Sequence, residues 1–283
     1  MLPDAKPELF ASCRCTVAEG PRWNPKEKRL YWVDIPAGTI YRKTVDTVPE
    51  KFESFSPGIG KVGALAFLQG DLLLFGEKCR VWRGAFGQKV ELFAELPDHG
   101  DTRFNDVLAD RTGHLYCGVA WNPHPGELWK FTPETCSFQQ LDGGFNGMPN
   151  GMGISPDRKK LYFTVSEEYL VYVFDFNEYS GTLRNRNIFA RFPKENGTPD
   201  GLTVNPDTGD VVIAFWNGGR LAILDSTGKQ KQEIHFPIEK ITSVEFANKN
   251  LFITTGNRPW QETAWKNHQA GSIFMIRHRE EKK

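Results

Sequence analysis

The apolar residues of this chain occur in short runs separated by turn-forming residues, and this pattern predicts β-strands. Runs such as Arg29–Asp34 (RLYWVD), Lys160–Val165 (KLYFTV) and Leu170–Asp175 (LVYVFD) are rich in β-branched and aromatic residues. Gly, Pro, Asn or Asp residues flank these runs, as is usual for strands. No stretch keeps the helical apolar period over three turns. We therefore expect many short antiparallel strands and very little helix.

One sequence unit, an apolar strand followed by a turn and an aromatic strand, recurs along the chain. Its starts lie 42 to 50 residues apart, at Gly20, Val62, Asn105, Asn150, Asp200 and Ser243. A period of about 40–50 residues with four strands is typical of a β-propeller blade. The sequence thus predicts an all-β protein: a six-bladed β-propeller with four antiparallel strands per blade and a central channel. We expect one domain over residues 1–283, with an ordered core at about 13–277.

The fourth unit shows the blade pattern best. Its strands are predicted at Gly151–Ser155, Lys160–Val165, Leu170–Phe176 and about Arg186–Phe192. To close the ring, the residues after 262 would return to the first blade, and a strand near Cys13–Val17 would pair there, which removes exposed sheet edges. The alternative fold is a sandwich with a second domain, but no linker or shift in composition supports a boundary.

Charge and apolar content exclude several classes of function. The chain has 35 Lys and Arg against 35 Asp and Glu. This balance argues against a nucleic acid or an anionic membrane as the main partner, since both attract basic proteins. The first ten residues contain no apolar run of the signal-peptide kind, and the longest apolar runs are strand-sized. We expect a cytoplasmic protein, with no prediction of its oligomeric state.

The cysteines do not form a recognisable metal motif. Their number is five, at irregular spacing, which favours reduced thiols. Cys13 and Cys15 would lie on one face of a strand, but no second Cys or His pair is spaced to complete a zinc site. We therefore expect ordinary buried thiols rather than a metal or redox centre.

Oxygen-bearing side chains recur at one position of the repeat, at or just before the first strand of a blade. Four blades carry Glu19, Asn105, Asn150 and Asp200 there, whereas the other two offer Lys61 or Val62, and Thr242. Because the first strand of each blade lines the channel, these side chains should converge near the axis. Two carboxylates and two amides suit a hard cation, Ca²⁺ above all, with Mg²⁺, Mn²⁺ or Zn²⁺ as alternatives.

A competing interpretation assigns the same residues to turns. Asn150-Gly151 and Asp200-Gly201 are dipeptides that also favour tight turns. Glu19 gains nothing from a turn, however, and a Glu19–Asp200 pair at a dry channel mouth would be costly without a cation. We favour the metal site.

Six motifs in order give the chain a resemblance to the SMP-30/gluconolactonase/regucalcin-like family, from about Cys15 to Ile276. The motifs are AEGPRW (18–23), YWVDI (31–35), RFND (103–106), PNGMGIS (149–155), PDGL (199–202) and WNGGR (216–220). The resemblance implies a six-bladed propeller with one divalent cation. It implies Glu19, Asn150 and Asp200 as metal ligands, Asn105 as a further ligand or substrate contact, and Arg103 as a substrate contact.

The resemblance also implies the hydrolysis of a lactone, a small cyclic ester. A cation at the carbonyl would stabilise the developing oxyanion and acidify water. Asp200 is the candidate catalytic residue, because it could accept a proton from water and return it to the leaving ring oxygen. No Gly-x-Ser-x-Gly motif is present, which argues against a serine hydrolase.

Two segments depart from the family pattern. An acidic residue that contacts substrate in many relatives is replaced here by Asn122 or Pro123, next to Trp121. Trp121 and Asn122 are therefore candidate substrate contacts, with a structural role as the alternative for Trp121. The fourth blade has Val165-Ser166 where many relatives have Asp-Ser. Alternatives to a sugar lactonase are a hydrolase of a non-sugar lactone or phosphotriester, and a calcium-binding regulatory protein without robust turnover.

Overall fold

The computed structural model describes residues 6–120, 124–257 and 269–277. These residues form 24 β-strands and two short 3-10 helices, Ser166–Glu168 and Lys194–Asn196. The strands make six antiparallel sheets of four strands each, arranged in a ring. The predicted six-bladed β-propeller is confirmed.

The chain begins with β1, which belongs to the last blade, and then completes the blades one after another. The opening strand β1 spans Glu8–Ala11. The strands of the first three blades are β2 (Ala18–Asn24), β3 (Arg29–Asp34), β4 (Thr39–Thr44) and β5 (Glu53–Phe55), then β6 (Val62–Leu68), β7 (Asp71–Gly76), β8 (Arg80–Gly84) and β9 (Glu91–Glu95), then β10 (Phe104–Ala109), β11 (Leu115–Val119), β12 (Gly126–Thr132) and β13 (Ser137–Phe145).

The last three blades follow the same plan. Their strands are β14 (Pro149–Ile154), β15 (Lys160–Val165), β16 (Leu170–Asn177) and β17 (Thr182–Arg191), then β18 (Thr198–Val204), β19 (Val211–Trp216), β20 (Arg220–Leu224) and β21 (Gln230–His235), then β22 (Ile241–Ala247), β23 (Asn250–Thr255) and β24 (Ile273–Ile276). In the fourth blade, the strands overlap all four predicted segments, and β15 has the predicted bounds.

The ring closes differently from the prediction. The closing strand is Glu8–Ala11, not a strand near Cys13–Val17, and it pairs with Ile273–Ile276 as the outer strand of the sixth blade. Residues 273–276 are the third strand of that blade and do not return to the first. Residues 12–15 lie outside any strand, so the prediction of Cys13 and Cys15 on one strand face is also wrong. The closing strand buries its apolar residues Phe10 and Ala11 in the cluster between the sixth and first blades.

The apolar core lies between neighbouring blades rather than within one sheet. Six buried clusters each combine residues of two adjacent blades, for example Tyr31 and Ile40 of the first blade with Leu65 and Leu74 of the second. A strand places alternate side chains on opposite faces, so both faces of each blade are covered by its neighbours. This explains why the strands are apolar on both faces at residues such as Leu72–Phe75.

The first strands of the blades form an inner ring around the channel. Each of these strands contacts the first strand of both neighbouring blades. Each also has an irregular register at or just after its start. The shifts lie between Glu19 and Arg22, Val62 and Ala64, Phe104 and Val107, Pro149 and Met152, Pro199 and Leu202, and Ile241 and Ser243. A β-bulge bends a strand and redirects its side chains.

The glycines that follow two of the site residues are required by packing. A Cβ at Gly151 would lie 2.0 Å from the backbone nitrogen of Leu202, and one at Gly201 would lie 2.1 Å from Oγ of Ser243. Both glycines therefore let neighbouring inner strands approach closely. Because Asn150-Gly151 and Asp200-Gly201 lie inside β14 and β18, the turn interpretation of these dipeptides is wrong.

Candidate metal and substrate site

The four oxygen-bearing residues of the repeat position all lie on inner strands. Glu19, Asn105, Asn150 and Asp200 belong to β2, β10, β14 and β18, and each is 7% exposed. They lie within or beside the irregular stretches of these strands. The structure thus buries polar side chains from the first, third, fourth and fifth blades at the same end of the inner strands.

Glu19 and Asp200 are two buried carboxyl groups close enough to affect one another. Burial and the charge of Asp106 raise the pKa of Glu19 to about 8. Burial, followed by the charge of Glu19, raises the pKa of Asp200 well above its usual value. Oδ1 of Asp200 is buried and has no hydrogen-bond partner among the described residues. A hydrogen bond with the side chain of Asn150 lowers the pKa of Asp200 only in part. A buried carboxylate normally has more donors than this.

Asn150 is oriented by a hydrogen-bond chain that crosses from the fourth blade to the fifth. Its amide nitrogen donates to Oγ of Ser166 at 3.1 Å, and Ser166 donates to the carbonyl oxygen of Pro199 at 2.8 Å. Pro199 directly precedes Asp200. Since the amide nitrogen is used in this way, Oδ1 is the atom of Asn150 left to act as a ligand. Sequence reasoning missed this role of Ser166, although it noted the Val165-Ser166 departure.

Arg103 and Asn105 form a second polar unit at the start of β10. The Arg103 guanidinium donates to Oδ1 of Asn105 at 2.7 Å and to the carbonyl oxygen of Phe104 at 2.9 Å. The Asn105 amide nitrogen donates to the carbonyl oxygen of Pro149 at 2.8 Å. Because Oδ1 of Asn105 already accepts a hydrogen bond from the Arg103 guanidinium, it is a weaker candidate metal ligand than Oδ1 of Asn150. This arrangement suits a contact with substrate better.

Three further residues were singled out in the sequence: Thr242, Trp121 and Asn122. Thr242, at the repeat position of the sixth blade, is fully buried and donates to the carbonyl oxygen of Ala18 at 2.6 Å. It therefore holds the backbone next to Glu19 and does not itself line the site. The candidate substrate contacts Trp121 and Asn122 lie outside the described residues.

A cluster of opposite charges lies next to the site and was missed by sequence reasoning. In this Arg22 cluster, the guanidinium of Arg22 lies 3.1 Å from Oδ1 of Asp106 and 3.8 Å from Oε2 of Glu245. Arg22 also donates to the carbonyl oxygens of Pro21 and Val107. Despite Arg22, burial raises the pKa of Glu245 to about 7. The residues come from three blades, so no local sequence signal joins them.

The donor set fits a hard divalent cation. Glu19, Asn150 and Asp200 are all buried, and both Glu19 and Asn150 lie close enough to change the pKa of Asp200. Within the described residues, Oδ1 of Asp200 has no hydrogen-bond partner. Such oxygen ligands match the preference of Ca²⁺. Among the residues that the structure describes, no group of three or more His, Cys, Asp or Glu side chains is placed to hold a metal. A cation at this site would therefore depend on amide oxygens as well as on Glu19 and Asp200.

The comparisons with known proteins identify the family. Residues 17–257 match the model of the SMP-30/Gluconolactonase/LRE-like region. The chain belongs to this family. The resemblance seen in the sequence motifs is thereby confirmed, and the matched segment includes every candidate site residue.

Relatives of this SMP-30/gluconolactonase family member align over nearly their full lengths. The protein is 34% identical to "Pentonolactonase XacC" of Haloferax volcanii, over 93% of this chain and 91% of that protein. It is 29% identical to human "Regucalcin", over 95% and 92%. A solved structure described as a calcium-binding protein, regucalcin, from Agrobacterium tumefaciens superposes with a TM-score of 0.87 at 18% identity, over 96% and 93% of the two chains. That structural likeness supports the fold.

Among the described residues, no helix is long and apolar enough to cross a membrane. The cytoplasmic location expected from the sequence stays a prediction.

Proposed function

We propose that the protein is a divalent-cation-dependent lactonase, a carboxylic ester hydrolase that opens a sugar lactone. The observation that carries this proposal is the buried pair Glu19 and Asp200, with Oδ1 of Asp200 lacking a hydrogen-bond partner among the residues that the structure describes. Family membership and the 34% identity to a protein named pentonolactonase support the reaction class.

Three side chains would hold the cation: Glu19, Asn150 and Asp200. Each offers an oxygen, and the Asn150 amide nitrogen donates to Oγ of Ser166, which leaves Oδ1 of Asn150 available. When bound, a divalent cation supplies Lewis-acid polarisation of the ester carbonyl and acidifies water. Ca²⁺ matches this all-oxygen set best, with Mg²⁺, Mn²⁺ and Zn²⁺ as alternatives.

The protein's own groups would perform the remaining tasks. Asp200 would accept a proton from the attacking water and return it to the ring oxygen as the ester bond breaks. Burial raises the pKa of Asp200 well above its usual value, which makes its carboxylate a stronger base and suits it to accept this proton. Arg103 and Asn105, joined by their 2.7 Å hydrogen bond, would orient the hydroxyl groups of the sugar.

The test is turnover by protein stripped of metal and then given Ca²⁺, Mg²⁺, Mn²⁺ or Zn²⁺. A panel of five-carbon and six-carbon aldonolactones would be followed by pH-stat, since ring opening releases a proton. Metal-dependent proton release above the spontaneous rate supports the proposal. No turnover with any lactone and any of the four ions contradicts it.

A second candidate is a calcium-binding protein without robust turnover. The all-oxygen donor set favours it equally, and the human relative at 29% identity carries the name regucalcin. Calorimetry separates the two functions in the same preparation. Ca²⁺ binding that requires Glu19, without lactone hydrolysis under any condition, would favour this alternative.

A further inference from the structure

Cys13 and Cys15 form a pair of thiols at the junction of the sixth and first blades. Their Sγ atoms are 3.4 Å apart. Cys15 is 1% exposed and packs in the cluster between these blades, whereas Cys13 is half-buried. The sulfur of Cys13 is therefore accessible to a solute, whereas the sulfur of Cys15 is buried in contact with it.

The backbone between the two cysteines explains why the sulfurs meet. Cα atoms two residues apart in an extended strand are separated by about 6.6 Å, near the upper limit for a disulfide. Here the intervening Arg14 has a φ of 53°, in the left-handed region, so the segment bends. The bend turns a spacing that is marginal for a disulfide into direct contact between the sulfurs.

Gly271 fixes this segment. Its carbonyl oxygen accepts from the backbone nitrogen of Cys15 at 2.8 Å and from Sγ of Cys13 at 3.2 Å. A Cβ at Gly271 would lie 2.1 Å from the carbonyl oxygen of Cys15, so the close approach requires glycine. Gly271, which is far from the cysteines in sequence, thus stabilises the backbone conformation that brings the two sulfurs into contact.

The surroundings favour thiol chemistry over metal binding. The nearby carboxylate of Asp34 already accepts from the backbone nitrogens of Thr16, at 2.9 Å, and Val17, at 3.0 Å. A zinc site needs further ligands, and the described residues contain no group of three or more His, Cys, Asp or Glu suited to a metal. Two sulfurs in contact, one of them accessible, instead match the arrangement of an attacking and a resolving thiol.

We propose that Cys13 and Cys15 are a redox-active dithiol that a hydroperoxide oxidises to an intramolecular disulfide. The Cys13 thiolate attacks the outer peroxide oxygen, the O–O bond breaks, and Cys13 becomes a sulfenic acid as an alcohol or water leaves. The Cys15 sulfur then attacks the Cys13 sulfur, and the S–O bond breaks to release water. Two thiols give up two electrons and two protons, and one hydroperoxide is reduced.

The order of attack follows from the environment of each thiol. The hydrogen bond with Cys13 and burial raise the pKa of Cys15, so Cys15 keeps its proton. Cys13, the more exposed thiol, is the one that a hydroperoxide can reach. The product closes a ring over only three residues. Strained disulfides are readily reduced, and we therefore expect excess glutathione to reverse the oxidation.

The experiment uses the full chain with Cys136→Ser, because Cys136 is an exposed thiol that could form intermolecular disulfides. The protein is treated with hydrogen peroxide, denatured and alkylated, and its peptides are weighed. We expect two fewer alkylated thiols, a peptide that joins Cys13 to Cys15, and full recovery with glutathione. Adding Cys13→Ser should leave Cys15 fully alkylatable, with an unchanged circular dichroism melt as the check on folding.

Two results would overturn the proposal. One is recovery of both cysteines in alkylated form after peroxide treatment. The other is Cys13 as a sulfinic acid beside an alkylatable Cys15, which would show that the buried thiol does not resolve the sulfenic acid. Both readouts are independent of lactone hydrolysis, so they stand whatever the outcome for the proposed enzyme.

Discussion

Two neighbouring places in the channel bury carboxyl groups, and they compensate the charge in different ways. In the Arg22 cluster, a guanidinium lies 3.1 Å from Asp106 and 3.8 Å from Glu245. Within the described residues, Glu19 and Asp200 form no ion pair with an Arg or Lys side chain, although the charges of Arg22 and Arg103 lower the pKa of Glu19. Oδ1 of Asp200 makes no hydrogen bond to this part of the chain. The Arg22 cluster contains its own cation, the guanidinium. The Glu19–Asp200 pair instead resembles a site for a bound metal ion.

The comparison teaches how one scaffold separates structural from functional charge. A buried carboxylate without compensation destabilises the fold, so it persists only where it serves a purpose. The charges of Arg22 and Arg103 lower the pKa of Glu19, but burial and the charge of Asp106 raise it more. The Arg103 guanidinium is also hydrogen-bonded to Asn105. The uncompensated charge therefore falls on Glu19 and Asp200.

The largest expected effect comes from removing a carboxylate of the uncompensated pair. Glu19→Gln or Asp200→Ala should reduce metal-supported lactone hydrolysis by at least about 100-fold while the fold remains intact, since each removes a candidate ligand or proton acceptor. Steady-state kinetics at saturating Ca²⁺ would measure this loss. Asp207→Asn, on an exposed turn of the fifth blade, is the matched control and should keep normal turnover.

Removing the built-in cation should damage stability more than activity. Arg22→Met leaves Asp106 and Glu245 without their partner and should lower the free energy of unfolding by about 3 kcal/mol. Urea denaturation would measure the loss. The double variant Arg22→Met with Asp106→Asn should regain part of it. Equal stability of the single and double variants would refute the idea that charge compensation is the role of Arg22.

The stability of the metal-free protein should depend on pH in a direction set by Glu19. Burial and Asp106 raise the pKa of Glu19 to about 8, from 4.5 in the unfolded chain. The folded state thus keeps a proton that the unfolded state loses, and stability falls as pH rises from about 4.5 to about 8. We expect Tm to fall by a few degrees over this range, and Ca²⁺ to restore it most at the alkaline end.

Glu19→Gln provides the control for this pH effect, because glutamine does not titrate. Its metal-free Tm should vary less between pH 5 and 8 than that of the unmodified protein, as measured by calorimetry in chelator. An identical pH profile for both proteins would show that Glu19 does not carry the effect.

The smallest expected effect concerns Ser166, which contacts the candidate ligand Asn150 rather than the cation. Ser166→Ala removes the 3.1 Å hydrogen bond that orients the amide and should weaken Ca²⁺ binding by about 10-fold. Isothermal titration calorimetry would measure the affinity, with Ser226→Ala, on an exposed turn, as the matched control. A Ca²⁺ affinity unchanged by Ser166→Ala would leave Ser166 with only a structural role.

The sequence predicted the architecture because the fold repeats. Each blade alone gives a weak strand pattern, but a unit recurring at 42 to 50 residues specifies six blades and places Glu19, Asn105, Asn150 and Asp200 at equivalent positions. The closing strand escaped prediction because Glu8–Ala11 has only four residues and its partner, Ile273–Ile276, lies at the other end of the chain.

The supporting contacts could not be predicted, since they join different blades and follow no spacing. Ser166 reaches Pro199, and Arg22 reaches Asp106, across separations of 33 and 84 residues. A repeat specifies which backbone positions face the channel, but side-chain geometry decides which of them touch. The turn interpretation failed for a similar reason: Gly151 and Gly201 are needed for close approach of neighbouring strands, which a single sequence does not display.

The manner in which the ring closes also bears on synthesis of the protein. Glu8–Ala11 is synthesised before all the other strands of the propeller, whereas its pairing partner Ile273–Ile276 is synthesised after them. The apolar residues Phe10 and Ala11 therefore stay uncovered until Ile273–Ile276 has been made. During that interval chaperones and proteases can reach this segment, and cleavage of the folded protein between Ala11 and Ala18 would detach the strand that closes the ring.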